Sequence, residues 1–214
     1  DWILTLLVAL PLVGGVVLIF FPAGRHDLVR WYSAAIAGVT ALMSVYVFFS
    51  YDHGAAGFQF AREFEWLPLL GIKFSLGVDG IAILMVLLTG LLGIVAVYAS
   101  WSVKERVGEY FMWLLALQTA VMGVFTALDF FLFFLFWELE LVPMFFLISI
   151  WGSGRKEYSA MKFLIFTFLG SAFMLVGILT LFFSTGTFDM TQLPGEIVGR
   201  DLLLPAGLVF ALLF

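Results

Sequence analysis

Residues 129–151 read DFFLFFLFWELELVPMFFLISIW, an almost uninterrupted apolar stretch with two acids near its centre. As an α-helix, the stretch measures about 33 Å at ~1.5 Å per residue, long enough to cross the ~30 Å hydrocarbon core of a bilayer. Glu138 comes nine steps after Asp129, which places it ~14 Å along the helix and near the midplane. An ionised acid at that depth costs roughly 2.5 to 3.5 kcal/mol, so such acids usually face a bundle interior or a hydrated path. The stretch therefore predicts an integral membrane protein with a protonatable group at its centre.

The composition excludes a soluble fold. The 214 residues are 64% hydrophobic and 12% charged, with a mean hydropathy of +1.14, whereas soluble domains carry about 25% charged residues. The sequence contains no cysteine, which excludes disulfides, iron–sulfur ligation and cysteine-based zinc sites in this chain. Its two histidines, His26 and His53, fall in predicted loops and leave no paired-histidine site for haem or copper.

Hydropathy predicts an all-α, polytopic bundle of transmembrane helices. The spans are 19 to 22 residues long, as helical spans require, whereas the strands of a membrane barrel are about half that length. Six complete spans and the start of a seventh can be marked: Trp2–Phe21, Trp31–Ser50, Ile81–Trp101, Tyr110–Leu128, Phe130–Trp151, Phe163–Phe183 and Leu202–Phe214. Thirteen residues cannot cross a bilayer as a helix. We therefore expect residues 1–214 to form a single membrane domain, the N-terminal part of a longer polypeptide.

Basic residues are distributed unequally between the loops, which predicts the orientation of the chain. Loops 1–2, 3–4 and 5–6, with the residues just beyond them, hold seven basic residues: Arg25, Arg30, Lys104, Arg106, Arg155, Lys156 and Lys162. The opposite loops hold three: Arg62, Lys73 and Arg200. Because loops rich in lysine and arginine stay in the cytoplasm, we expect the start of the chain to lie outside.

Three acids of the fifth span are candidate functional groups. Glu138 and Glu140 point about 200° apart on a helix, so they cannot share one face. Glu138 is a candidate proton carrier, and the alternative is a neutral, hydrogen-bonded acid that only fixes helix packing. Both interpretations stay open for Glu140. Asp129 is a possible member of the path, although a helix N-cap is the interpretation that we favour. Pro143 predicts a kink and frees the carbonyl of Leu139 to accept from water or a side chain.

Polar residues on the other spans are weaker candidates. Lys162 lies near the predicted cytoplasmic start of the sixth span, where it acts either as a snorkelling anchor or as a cation that tunes a proton path. Gln118 and Thr119 could hold waters, but such residues more often hydrogen-bond across helices or to their own backbone. Asp79, in the turn before the third span, reads as an N-cap.

Three segments together resemble one known family, the M-type proton-pumping membrane subunits of respiratory complex I and the equivalent subunits of photosynthetic organisms. They are Leu76-Gly-Val-Asp79-Gly80-Ile, Phe136-Trp-Glu138-Leu-Glu140-Leu-Val-Pro143-Met and Ser159-Ala-Met-Lys162-Phe. The second is specific, the first is supportive, and the order and spacing of the spans agree from Trp2 to Phe214.

The resemblance implies an antiporter-like fold of about fourteen spans built from two inverted repeats. It implies that Glu138 carries protons and that a basic residue at Lys162 is usual. The family's span-7 lysine, which pairs with the span-5 acid, would fall beyond Phe214. Such subunits hold no redox centre, so NADH, FMN, iron–sulfur clusters and quinone are expected in other subunits of the complex. The expected partners are neighbouring membrane subunits and the bilayer, without nucleic acid.

Three functional hypotheses follow. The first is a non-redox subunit of a proton-translocating NADH-quinone oxidoreductase in a bacterial inner membrane or an equivalent organelle membrane. The second is a subunit of an Mrp-type sodium/proton antiporter, which shares the antiporter-like core. The third is a structural membrane subunit in which the acids only fix packing. Soluble enzyme chemistry has no support, because we find no nucleophile-and-base constellation and no phosphate-binding glycine loop.

Overall fold

The described part of the chain is a helical bundle with a small β-hairpin at one end. The structure, a computed structural model, describes residues 2–22, 24–52, 54–55, 57–67 and 72–193. The elements in chain order are α1 (Ile3–Leu18), α2 (His26–Phe49), β1 (Gln59–Leu67), β2 (Ile72–Val78), α3 (Ala82–Ala99), α4 (Val107–Thr126), α5 (Phe130–Trp151) and α6 (Lys156–Thr185). The predicted all-α membrane fold is confirmed, and the hairpin is an addition that hydropathy did not predict.

Five of the described helices, α2 to α6, are long and apolar enough to cross a membrane. The first, α1, is apolar but has only 16 residues. The predicted count of six complete spans is therefore not confirmed, and the predicted seventh, Leu202–Phe214, lies outside the described residues.

Three helices begin earlier than the hydropathy boundaries predicted. Helices α2, α4 and α6 begin at His26, Val107 and Lys156, where hydropathy placed the starts at Trp31, Tyr110 and Phe163. The physical reason is that backbone hydrogen bonds continue through polar residues at the membrane surface, whereas hydropathy detects only the apolar part of a helix. Lys162 consequently lies inside α6, not before the span.

The hairpin β1–β2 occupies the connection between α2 and α3. Its strands are antiparallel, with Glu65 opposite Lys73, and the rings of Phe64 and Phe74 stack with centroids 4.7 Å apart. Polar and apolar residues alternate along its strands, as is typical of a strand with one covered face.

The hairpin is hydrogen-bonded to the link between α4 and α5. The N–H of Leu128 donates to the carbonyl of Ser75, and the carbonyl of Leu128 accepts from the N–H of Met190, each over 2.9 Å. One isolated bridge pairs Leu76 of β2 with Ala127 of the link between α4 and α5. A second pairs Asp129 of this link with Asp189, in the segment 188–190. The start of α5 is thus tied to elements on both of its sides.

Several glycines allow close approach between helices, among them two glycines of α3. Gly90 of α3 lies against Ser44 of α2, and Gly93 of α3 lies against the amide of Gln118 of α4; a Cβ at either glycine would overlap these side chains. The apolar core of the described residues includes a cluster near the hairpin, another at the opposite end of the bundle, and a third between α5 and α6. These packed helices form the rigid frame on which the acids of α5 are mounted.

Candidate functional site

Asp129 caps the N-terminus of α5. Its Oδ1 accepts from the N–H of Phe131 over 2.9 Å and of Leu132 over 3.0 Å, and its Oδ2 accepts from the N–H of Lys73 over 3.3 Å. The predicted N-cap is confirmed. The side chain is 1% exposed, and burial raises the pKa of its carboxyl while the three backbone hydrogen bonds oppose that rise. The cap fixes where α5 begins and hence the depth of the acids that follow.

Glu138 and Glu140 lie in the middle of α5, which is continuous from Phe130 to Trp151. Glu138 Oε1 is buried and finds no hydrogen-bond partner in the described part of the chain. A buried polar atom left in that condition costs about 1–3 kcal/mol, and buried polar groups in native proteins almost always have a partner. The group therefore requires water or an ionisable neighbour.

The two glutamates have different surroundings on α5. Leu139, between them, is 41% exposed, which marks an outward face of α5 in this part of the subunit. Glu138 stands one turn after Phe134, which packs in the aromatic cluster between α5 and α6. Glu140 points about 200° away from Glu138, so the two side chains lie on different faces of α5. A proton path along one face of α5 can therefore include only one of the two glutamates.

Pro143 lies on the buried side of α5. The helix continues across it to Trp151, so the expected disturbance does not end the helix. Proline has no N–H, and the carbonyl of Leu139 consequently lacks its donor within the helix. This free acceptor lies beside both glutamates.

Lys162 lies on an exposed face of α6, and its Nζ is 5.9 Å from the ring centroid of Phe166. Helices α5 and α6 are antiparallel across the short link 152–155, so Lys162, six residues into α6, is level with about Phe145. That position is ~10 Å along the helix from Glu138. Lys162 and Glu138 form no ion pair in the described residues, so the structure does not bring these two candidates into direct contact.

Gln118 and Thr119 are buried in α4, and Gln118 Nε2 and Thr119 Oγ1 find no hydrogen-bond partner among the described residues. Sequence analysis treated them as weak water-binding candidates. The structure adds that the Gln118 amide fits into the space above Gly93. Pairing of α4 with α5 through the stacked rings of Trp113 and Phe146 places them at nearly the same membrane depth as Glu140.

Sequence reasoning missed a polar cluster at the hairpin end. Lys73 Nζ lies 3.2 Å from Glu63 Oε2 and 3.9 Å from Asp189 Oδ2. Asp189 also accepts from the N–H of Thr191 over 2.9 Å and from the side chain of Gln192 over 3.0 Å. The hydrogen bond that Lys73 donates to Glu63 and the nearby carboxylates raise the pKa of the Lys73 ammonium. In the sequence, this polar cluster is indicated only by the acids in the predicted outer loops.

Metal-binding groups are not found in the described segments: no three histidine, cysteine, aspartate or glutamate side chains converge there.

The chain is similar in sequence to known membrane proteins. A sequence family described as "NADH:quinone oxidoreductase/Mrp antiporter, TM" matches residues 127–211. NAD(P)H-quinone oxidoreductase chain 4 2 of Thermosynechococcus vestitus is 41% identical over 213 residues, which are 97% of this chain and 40% of that protein. The chloroplastic chain 4 of Chara vulgaris is 38% identical over 181 residues, 84% of this chain and 37% of that protein.

Solved structures agree with the sequence comparison. Respiratory complex I from Thermus thermophilus contains a chain that matches with a TM-score of 0.83 and 25% identity, over 98% of this chain and 43% of that chain. Over almost its whole length, this chain is similar to M-type, antiporter-like membrane subunits of complex I. The Mrp complex from Dietzia shares the fold, with a TM-score of 0.79 and 23% identity over 98% of this chain and 22% of that one.

This similarity agrees with the architecture of the described helices. The chain is a multi-pass membrane protein with antiporter-like helices, as the resemblance implied. The chain spans about two fifths of the length of the curated relatives it matches.

Proposed function

We propose that the protein is a proton-translocating membrane subunit of a complex I-type NAD(P)H-quinone oxidoreductase. The observation that carries the proposal is Glu138, a glutamate near the midplane of a spanning helix, with a buried carboxyl oxygen that lacks a partner in the described residues. An acid at this depth in a membrane costs free energy, which favours a functional role for Glu138. The similarity to chain 4 subunits names the complex.

In this proposal Glu138 is the proton carrier. It takes a proton from water on the face that bears Arg25, Arg106 and Arg155, and releases it when a nearby charge changes the affinity of the carboxyl for protons. The family resemblance supplies the recipient, a lysine on the family's seventh span. Lys162 acts on entry from the basic face and not by direct contact with Glu138. Asp129 fixes the position of α5 as its N-terminal cap, and Glu140 contributes to helix packing.

The rest of the assignment also belongs to the proposal. We infer that electron transfer, with its NADH, FMN, iron–sulfur clusters and quinone, takes place in other subunits, and that this chain is a non-redox part of the translocase. Its partners are neighbouring antiporter-like subunits. The basic loops face the cytoplasm or the equivalent compartment of a bacterial inner membrane or organelle membrane, with the N-terminus on the other side.

The decisive experiment is Glu138→Gln in the full complex, with Glu140→Gln as the matched control on the opposite face of the same helix. Proton pumping into vesicles and quinone reduction are measured together. We expect the Glu138→Gln complex to assemble and to lose most of its pumping, while Glu140→Gln retains more. Unchanged pumping in an assembled Glu138→Gln complex rejects the role of proton carrier and leaves the structural-subunit hypothesis.

The second candidate function is that of an Mrp-type sodium/proton antiporter subunit, which the shared fold supports. The two differ in their partners: a complex I subunit purifies with flavin- and iron–sulfur-bearing proteins. Purification of the native full-length protein, with absorption spectra of the complex, separates them. Sodium-dependent proton flux without quinone reduction identifies the antiporter.

A further inference from the structure

We propose that the corner between α1, α2 and α4, at the end of the bundle away from the hairpin, binds the headgroup of one anionic phospholipid. A cavity of ≈ 480 Å³ lies there, with Arg25, His26 and Arg106 around it and Leu18, Ile19 and Phe21 among its apolar walls. Its size is in the range of pockets that hold small organic ligands. The mixture of basic and apolar walls suits a molecule with a charged head and hydrocarbon chains.

The charges at this corner are unequally satisfied. Arg106 is engaged by Glu109 through Nε–Oε1 at 2.9 Å and a second contact from Nη2 to Oε2. Asp27 is neutralised by Arg30, 2.9 Å away. The side chain of Arg25 makes no ion pair or hydrogen bond with any described residue. An anion in the cavity would therefore meet an uncompensated guanidinium, with the outer edge of Arg106 as a second donor.

The apolar walls of the cavity lie at the end of α1, where exposed apolar side chains can be covered by lipid acyl chains. Helix α1 ends at Leu18 after 16 residues, which is ~24 Å and shorter than the ~30 Å hydrocarbon core. Beyond it Ile19 and Phe20 are 63% and 79% exposed. Acyl chains can cover these residues while the phosphate reaches Arg25, as in other basic pockets between membrane helices. A free phosphate ion would make no use of the apolar walls, so we assign the site to a lipid.

The test is photolabelling of the full complex in vesicles. The probe is phosphatidylglycerol with a diazirine on an acyl carbon near the headgroup, and labelled peptides of this chain are mapped by mass spectrometry. We expect labelling of the peptide that contains Leu18 to Phe21, and displacement by unlabelled phosphatidylglycerol but not by phosphatidylcholine. Arg25→Gln should weaken competition by unlabelled phosphatidylglycerol roughly fivefold, and Arg25→Gln with Arg106→Gln should weaken it roughly 30-fold. The reason is that each arginine near the membrane surface contributes roughly fivefold to the affinity for an anionic lipid.

The matched control is Arg155→Gln, which removes a basic residue from the same end of the bundle outside the cavity. It should leave labelling unchanged, and Arg25→Lys should retain it. Because Arg25 contacts no described side chain by hydrogen bond or ion pair, Arg25→Gln should preserve the fold. Equal labelling by phosphatidylcholine and phosphatidylglycerol probes, or no effect of Arg25→Gln, overturns the proposal. Displacement of the probe by millimolar inorganic phosphate also overturns it and indicates a small-anion site.

Discussion

The N–H of Lys73 donates to Oδ2 of Asp129 over 3.3 Å, which joins β2 to the first residue before α5 across 56 positions of sequence. The same aspartate caps α5 through its other oxygen. One carboxylate thus fixes both the start of the helix that carries Glu138 and the position of the hairpin over it. Four predictions follow from this relationship and from the packing around it.

The cap should contribute measurably to stability. Asp129→Ala removes the acceptor for two backbone N–H groups of α5 and should cost ~1 kcal/mol, in the range of ~0.5 to 2 kcal/mol for such caps. Asp129→Asn keeps an acceptor oxygen and should cost less. Thermal denaturation of the purified full complex, with the chain followed by its loss from the assembly, measures both. Equal losses for the two variants would contradict a capping role.

The same residue predicts a pH dependence. Burial raises the pKa of Asp129 above its ordinary value of 3.8, so the folded chain holds this proton more tightly than the unfolded chain. The stability due to the raised pKa is fully present below about 3.8 and is lost as the pH rises through the folded pKa. Asp129→Asn should remove this part of the pH dependence. Melting temperatures of both proteins across that acidic range check the prediction; parallel curves would oppose it.

Gly93 should tolerate no side chain while Gln118 is present. Gly93→Ala places a methyl group into the Gln118 amide and should destabilise the bundle by about 1–3 kcal/mol. Gln118→Ala should relieve most of this cost. In a double-mutant cycle, the double variant should therefore be more stable than the sum of the two single changes predicts.

Gly170 of α6 is the matched control for that cycle, because nothing lies within 4 Å of a Cβ built there. Gly170→Ala should be neutral or slightly stabilising, since alanine favours helix over glycine by about 0.5–1 kcal/mol. A similar loss at Gly93 and Gly170 would show that the effect arises from the backbone and not from the Gln118 contact.

The ion pair of Lys73 should matter little and should be screened by salt. Its partners Glu63 and Asp189 differ in exposure, and the side chains of Lys73 and Glu63 are 32% and 60% exposed. Lys73→Met should cost less than about 1 kcal/mol at low salt. The raised pKa of Lys73 implies a contribution that is present below its ordinary 10.5 and lost as the pH rises through the folded value. Lys104→Met is the control; a salt-independent loss would refute the pair's role.

Several elements of the fold could be predicted from sequence because their signals are local. The apolar run of α5 marks its span to the residue, and Asp129 and Asp79 carry the chemistry of caps at the right positions. Starts at polar residues were missed for α6 and α2, because a helix continues after the hydropathy has fallen.

The candidate site could be predicted only in part. Glu138 stood out because an acid in a long apolar run is costly, and its buried oxygen without a partner among the described residues is consistent with that. The relation of Lys162 to Glu138 could not be predicted, because their separation of 24 positions says nothing of the faces of two different helices. The hairpin network was missed for the same reason: Lys73, Asp129 and Asp189 are distant in sequence and adjacent only in the fold.

The sequence alone determined that this protein is a helical membrane protein with an acid in the middle of a long apolar helix, because helix length and hydropathy are properties of neighbouring residues along one chain. Only the tertiary structure decided that one aspartate joins the hairpin to α5, that Gln118 needs Gly93, and that Arg25 faces an open cavity. Each of those depends on which faces of distant segments pack together, and packing is set by the whole bundle.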